Sequence, residues 1–252
     1  MLRSILLLIS CSLLSLPAVS QDLNDAPGAS PNQPDTYTSK NPDLHSRRNR
    51  ASISIVRLRV PRKAQDLFNK AMDAWQKDSP SDAQRNLDRA LQLDPEFPDA
   101  LTLYAGICTA HRDWNSAEEK LQAAIRSDPT FSPAYVILAG VYNTQARFAE
   151  AQQATERALS AGANTWEVHY EIARALIGQR EFENALAVSD NALRLKQPGC
   201  LLHLAKAHAL LGLHRYPEGI SELKAFLRLQ PSGDGCEQAR ALLEQLEKIP
   251  VQ

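Results

Sequence analysis

The residues best able to do chemistry in this chain are its histidines and cysteines, and their spacing supports no reaction. The histidines are His45, His111, His169, His203, His208 and His214. A zinc hydrolase needs two of them one helical turn apart with a general base between, and neither HExxH nor a paired Cys/His spacing occurs. No G-x-S-x-G places a serine on a strained turn, and no glycine-rich loop is present to cradle phosphate. Gly178-Gln179-Arg180-Glu181 and Gly212-Leu213-His214-Arg215 read as turns between helices. The Asp and Glu pairs are scattered along polar helix faces. No catalytic residue, metal ligand or cofactor site is expected, so the chain reads as a non-enzyme.

The elements that carry these residues follow from composition. The chain has 252 residues, 28 Lys+Arg against 29 Asp+Glu, and a net charge of −1. That balance argues against nucleic acid as a partner. Hydrophobic residues make up 44%, enough for a core, while aromatics are only 6%. Alanine and leucine recur throughout, which favours helices over a β-sandwich or barrel.

The front of the chain carries an address. Residues 1–20 join an early Arg3 to an apolar run from Ile5 to Pro17 and the small residues Ala18 and Ser20. This is the pattern of a secretory signal peptide, too short to span a bilayer. An alternative rests on Leu8-Ile9-Ser10-Cys11, which is similar to the lipobox of bacterial lipoproteins and would anchor the chain through Cys11. Either route makes the chain exported, to a periplasmic or extracellular site. Residues 21–50 are polar and expected to be a disordered linker. They end in Arg47, Arg48 and Arg50, a solvated stretch or a dock for an acidic surface. Residues 51–62 alternate and are β-branched, a strand signature. A lone strand must pack on the helical domain, lie in its groove against Phe68 and Trp75, or pair with another chain.

Residues 64–233 repeat. Ala83, Ala117, Ala151, Ala185 and Gly219 are each 34 residues apart. Ala90, Ala124, Ala158, Ala192 and Phe226 follow seven residues later. Trp114, Phe148, Phe182 and Tyr216 precede the first series by three, with Pro80 in the remaining unit. Ala71, Ala105, Ala139, Ala173 and Ala207 keep the same period in the earlier half. Pro95, Pro129 and Pro231 close three of the units. Each unit holds two helix-length apolar periodicities with a short break between them. Asp113 suits an N-cap, and Pro80 and Pro217 suit a first helical turn.

This pattern resembles the tetratricopeptide repeat, or TPR, with five units at 64–97, 98–131, 132–165, 166–199 and 200–233. The resemblance implies an all-α solenoid of five helix-turn-helix repeats. A capping helix within 234–248 would cover the last one, with Glu237, Arg240, Glu244 and Glu247 outward. It also implies that partners bind the hollow face lined by the first helix of each unit. At the fifth position of the units stand Phe68, Thr102, Val136, Tyr170 and Leu204. The ninth carries Met72, Arg174 and His208, with Gly106 and Gly140 leaving room for close approach. The twelfth carries Trp75 and Asn143. The Lys/Asn/Arg set with which chaperone-binding members hold a terminal carboxylate is missing from this row. Cys108 falls at an inward position. Cys200 and Cys236 both begin helices, at equivalent ends of neighbouring elements. A disulfide between them is sterically allowed if the Cα atoms come close enough.

The expected function is an exported adaptor or scaffold that holds a protein or peptide on its hollow face. Two other readings remain, a lipid-anchored envelope-assembly factor and a non-catalytic subunit of an enzyme complex. Self-association through the groove is a further option. No segment behind the front end is long and apolar enough for a transmembrane span.

Overall fold

The computed structural model describes residues 59–233 and 235–248, which belong to one unit. The proposed signal peptide, the Cys11 lipidation site, the 21–50 linker and residues 51–58 of the strand-like segment lie outside the described residues. The last part of that segment differs from expectation. Arg59 and Val60 form a turn, and Arg62 already opens the first helix. Pro61 explains the switch, since it fixes φ and its missing N–H costs nothing ahead of a helix.

Eleven helices follow among the described residues. They are α1 (Arg62–Gln76), α2 (Pro80–Leu93), α3 (Pro98–Ala110), α4 (Trp114–Ser127), α5 (Ser132–Thr144) and α6 (Phe148–Ser160). After them come α7 (Trp166–Gly178), α8 (Phe182–Leu193), α9 (Leu201–Gly212), α10 (Tyr216–Leu229) and α11 (Cys236–Glu247). Successive pairs pack as antiparallel hairpins: α1 on α2, α3 on α4, α5 on α6, α7 on α8 and α9 on α10. The odd-numbered helices also stack on one another, α3 on α5, α5 on α7 and α7 on α9, while α11 packs on α10. The result is an all-helical solenoid of five hairpins and a cap.

Local sequence explains the ends of these helices. The Asp113 side chain accepts a hydrogen bond from Ser116 N at 3.1 Å, capping α4. Pro80 and Pro217 sit in the first turns of α2 and α10. The first helix of every hairpin ends in one recurring turn. Asp78, Arg112, Ala146, Arg180 and His214 all have φ between 56° and 64°. In each case the N–H of the next residue reaches back to a carbonyl in the last turn of the helix, as Arg147 N to Tyr142 O at 2.9 Å. The left-handed residue's own N–H bonds inside that loop, as Ala146 N to Asn143 O at 3.2 Å. This is the Schellman arrangement, which satisfies carbonyls that the helix end leaves bare. Glycine is the usual occupant, yet no unit uses it.

Aromatics lock neighbouring hairpins. The Phe148 ring lies where a side chain at Gly178 would project, so a Cβ there would come within 2.2 Å of it. Phe182 meets Gly212 in the same way, 34 residues on, at 2.4 Å. Each ring begins the second helix of one hairpin and fills space against the first helix of the next.

A side chain with a Cβ held in the left-handed region costs on the order of 1 kcal/mol. Ala146→Gly removes that cost and gives back part of it as unfolded-state entropy. The expected net effect is a stabilisation of about 0.5 kcal/mol in urea midpoints. Ala139→Gly, inside α5 and fully buried, should instead lose about 1 kcal/mol or more. Equal losses at both positions would sink the capping argument.

Candidate functional site: the row along the odd-numbered helices

The two kinds of helix differ in how they are buried. In α4 only Ala117, Leu121 and Ala124 are buried, the single stripe of an amphipathic helix. In α3 eleven of thirteen residues are buried, Asp99, Thr102, Gly106 and Thr109 among them. A helix apolar on every side is one that expects contact on every side. The row anticipated from the sequence falls on α1, α3, α5, α7 and α9. Phe68, Met72, Thr102, Val136, Asn143, Tyr170, Arg174 and Leu204 are buried, and Trp75 and His208 are half-buried.

At the α1 end the row is apolar. The Phe68 ring stands 5.2 Å from Phe97, with Met72 in the same cluster and Trp75 packed against it. Three side-chain atoms of the row are buried with no hydrogen-bond partner among the described residues: Trp75 Nε1, Thr102 Oγ1 and Asn143 Oδ1. Leaving such a group unpaired costs about 1–3 kcal/mol.

In the middle of the row α5 and α7 are tied by a polar cluster. Arg174 Nη1 donates to Glu171 Oε2 at 2.9 Å. Asn143 Nδ2 donates to the same carboxylate oxygen and to the Glu171 main-chain oxygen, each at 2.9 Å. Arg174 Nη2 reaches Thr144 Oγ1 at 3.4 Å, and its guanidinium lies 5.7 Å from the Tyr170 ring centre. Burial works against the guanidinium charge. The fields of Glu171 and Tyr170 and the hydrogen bond to Glu171 outweigh it, so the Arg174 pKa lies above its ordinary value. Sequence reasoning placed Arg174 and Asn143 as partner contacts but missed Glu171. The signal was available: Glu171 and Arg174 are one turn apart in an otherwise apolar helix, a spacing that lets opposite charges pair.

His208 lies further along the row, on α9. Burial pushes its imidazole down to about 4, so it stays neutral at physiological pH. Beside the row, Cys108, Cys200 and Cys236 are thiols rather than disulfides. The Cys200–Cys236 bridge allowed by the sequence is not formed. Both sulfurs donate to Gln230 instead, Cys200 Sγ to Oε1 at 3.0 Å and Cys236 Sγ to the main-chain oxygen at 3.2 Å. No group of three or more metal-ligating side chains occurs among the described residues. No helix among them is long and apolar enough to cross a membrane.

Removing one partner of the buried pair should be costly. Glu171→Gln leaves the Arg174 charge without its counter-ion, and a loss of about 3–5 kcal/mol is expected from urea titration. The double variant Glu171→Leu/Arg174→Met should lie within about 1–2 kcal/mol of the parent, because it removes both charges. His208 gives a pH signature. Its folded pKa lies below the unfolded value of about 6.5, so the unfolded chain binds the proton first. Stability should therefore fall as pH drops from about 6.5 through about 4, by up to about 3 kcal/mol. His208→Leu should flatten that limb. An unchanged acid slope would show that His208 is not desolvated.

Comparison with known proteins agrees with this architecture. Models of the tetratricopeptide repeat match residues 74–140 and 141–199. None of the curated proteins matches the chain. Among solved structures, the thermophilic TPR protein TTC0263 of Thermus thermophilus is 18% identical, with a TM-score of 0.62, and the match covers 74% of this chain and 100% of that one. A chain of the APC/C hetero-tetramer Cut9-Hcn1 is 19% identical with a TM-score of 0.68, over 76% of this chain and 38% of that one. The pilF protein of Pseudomonas aeruginosa is 18% identical with a TM-score of 0.60, over 73% of this chain and 89% of that one. With the 34-residue period, the stacked hairpins and two family matches that together span residues 74–199, the chain belongs to the tetratricopeptide repeat family.

Proposed function

We propose that this chain is an exported, non-catalytic adaptor that holds a polypeptide along the row formed by α1, α3, α5, α7 and α9. One observation carries the reading. Apolar at its α1 end, the row holds three buried polar atoms, Trp75 Nε1, Thr102 Oγ1 and Asn143 Oδ1, without partners among the described residues. A polypeptide backbone offers alternating donors and acceptors suited to such atoms, while its side chains suit the apolar surface between them. The mechanism is static. A rigid stack presents the half-buried Trp75 beside Phe68 and Met72, and binding needs no chemical step. Export rests on the Arg3, apolar run and small-residue pattern of residues 1–20.

The test uses a photo-crosslinking residue at Thr102 and, separately, at Gln153 on the exposed side of α6. Crosslinking in the native envelope should give a discrete polypeptide adduct from position 102 and none from position 153. Asn143→Leu should weaken the adduct about tenfold, the equivalent of one lost hydrogen bond of about 1.4 kcal/mol. Equal adducts from both positions, or none from position 102, would defeat the reading. Mass measurement of the exported protein should show an N-terminus at Gln21.

A further inference from the structure

The thiols of Cys200 and Cys236 lie outside the row, and the proposed function does not use them. They come from different helices. Cys200 is the half-buried N-cap of α9, and Cys236 is the first residue of α11, with no exposed surface. The two nevertheless converge on one residue. Gln230, the C-cap of α10, accepts from Cys200 with its side chain and from Cys236 with its main chain. Both cysteines also belong to the same apolar cluster, together with Leu201, Leu202, Ala239 and Leu246.

Two glycines lie between Gln230 and α11. Gly233 has φ of 111° and Gly235 has φ of 81°, both in the region that L side chains rarely adopt. Both sulfurs meet Gln230, one at its side-chain and one at its main-chain oxygen, so rotation of the Cys200 and Gln230 side chains alters the distance between them. Cys108 offers a natural contrast. It is buried within α3, and burial, followed by the Asp113 carboxylate, pushes its thiol up.

We infer that Cys200 and Cys236 form a dithiol site that is oxidised by disulfide exchange and then staples α11 to the fifth hairpin. Exposure sets the order of events. The Cys200 thiolate, its proton released to solvent, attacks one sulfur of a low-molecular-weight disulfide such as oxidised glutathione. That S–S bond breaks, a mixed disulfide forms on Cys200, and one glutathione thiolate leaves and takes up a proton. Cys236, deprotonated in turn, attacks the Cys200 sulfur and expels the second glutathione. Two protein thiols are oxidised and one small disulfide is reduced to two thiols. Gln230 loses both donors and its side chain swings away. The bridge closes a loop between residues 200 and 236, which restricts the unfolded chain.

The test equilibrates the full chain in a series of reduced and oxidised glutathione mixtures, quenches with acid, alkylates, and maps the peptides without reduction. The expected result is a peptide joining Cys200 to Cys236 at the oxidising end, with Cys108 alkylated only after unfolding. The melting temperature should rise by roughly 5–10 °C. Cys236→Ser should stop at a stable glutathione adduct on Cys200, and Cys200→Ser should form no adduct at position 236. A stable adduct on Cys200 in the parent chain would overturn the proposal. So would a bridge from Cys200 to Cys11 or Cys108, or two thiols that persist throughout the series.

Discussion

Each hairpin keeps a small residue at one fully buried place on its first helix and at one on its second, which lets two helices pack closely. Ala71 and Ala83, Ala105 and Ala117, Ala139 and Ala151, and Ala173 and Ala185 hold the same places in the first four hairpins, and all eight side chains have no exposed surface. The fifth hairpin has glycine at the second place. A Cβ built at Gly219 would come 2.8 Å from Leu211 Cδ2, so glycine there leaves room for a leucine on α9. Larger residues at such a place force the helices apart, at about 1–3 kcal/mol for each overpacked site. Close approach in turn fixes where the aromatic that opens the second helix must go. Phe148 and Phe182 reach past their own hairpins to press on Gly178 and Gly212 of the next. A small residue within one unit thus sets the contact between units, and the stack propagates.

The same crowding determines what the odd-numbered helices can carry. Each touches its own partner helix, and α5, α7 and α9 also touch the second helix of the preceding hairpin and the first helix of a neighbour. Only a narrow row is left for anything else. Polar residues in that row must find partners close by. Thr109 and Thr144 do so by bonding back to the carbonyls of Gly106 and Gly140, at 2.7 and 2.9 Å, a local solution open to threonine in a helix. Asn143, Glu171 and Arg174 solve the problem between helices. The charge of Arg174, which could have met an acidic ligand, is occupied by Glu171. Trp75 Nε1, Thr102 Oγ1 and Asn143 Oδ1 are the neutral atoms of the row left without partners among the described residues.

The architecture was legible in the sequence because five units keep one period, and the same small residues at the same spacing place every hairpin crossing. The candidate site was legible only by position. Repeat register put Thr102, Val136 and Tyr170 on one row, but it carries no information about which side chains consume one another. Glu171 sits outside the positions the resemblance pointed to, so its capture of Arg174 and Asn143 was not anticipated. The recurring left-handed turn was hidden for a different reason. Asp78, Arg112, Ala146, Arg180 and His214 share no residue type, and only the hydrogen bonds around them reveal the common conformation. The start of α1 shifted because alternation in Arg57-Leu58-Arg59-Val60 reads as strand until Pro61 is given its weight as a helix opener.

The fifth hairpin shows why a cap is physically required. In the third unit, Tyr135 and Leu138 place an aromatic and an aliphatic side chain one turn apart on α5. The fifth unit has His203 and Lys206 at the corresponding places on α9. These two are held by charge and hydrogen bonds: His203 Nδ1 lies 2.6 Å from Glu222 Oε2, and Lys206 Nζ lies 2.9 Å from Glu222 Oε1 and 2.8 Å from Asp190 Oδ1. The network ties α8, α9 and α10 together, but half-exposed ion pairs contribute little stability of their own. The apolar surface that this hairpin does not draw from His203 and Lys206 comes from the other side. Cys236, Ala239 and Leu246 of α11 complete the cluster around Leu201, Leu202, Leu223 and Phe226. The core of the last hairpin is therefore completed by α11, and anything that holds α11 in place acts first on α9 and α10.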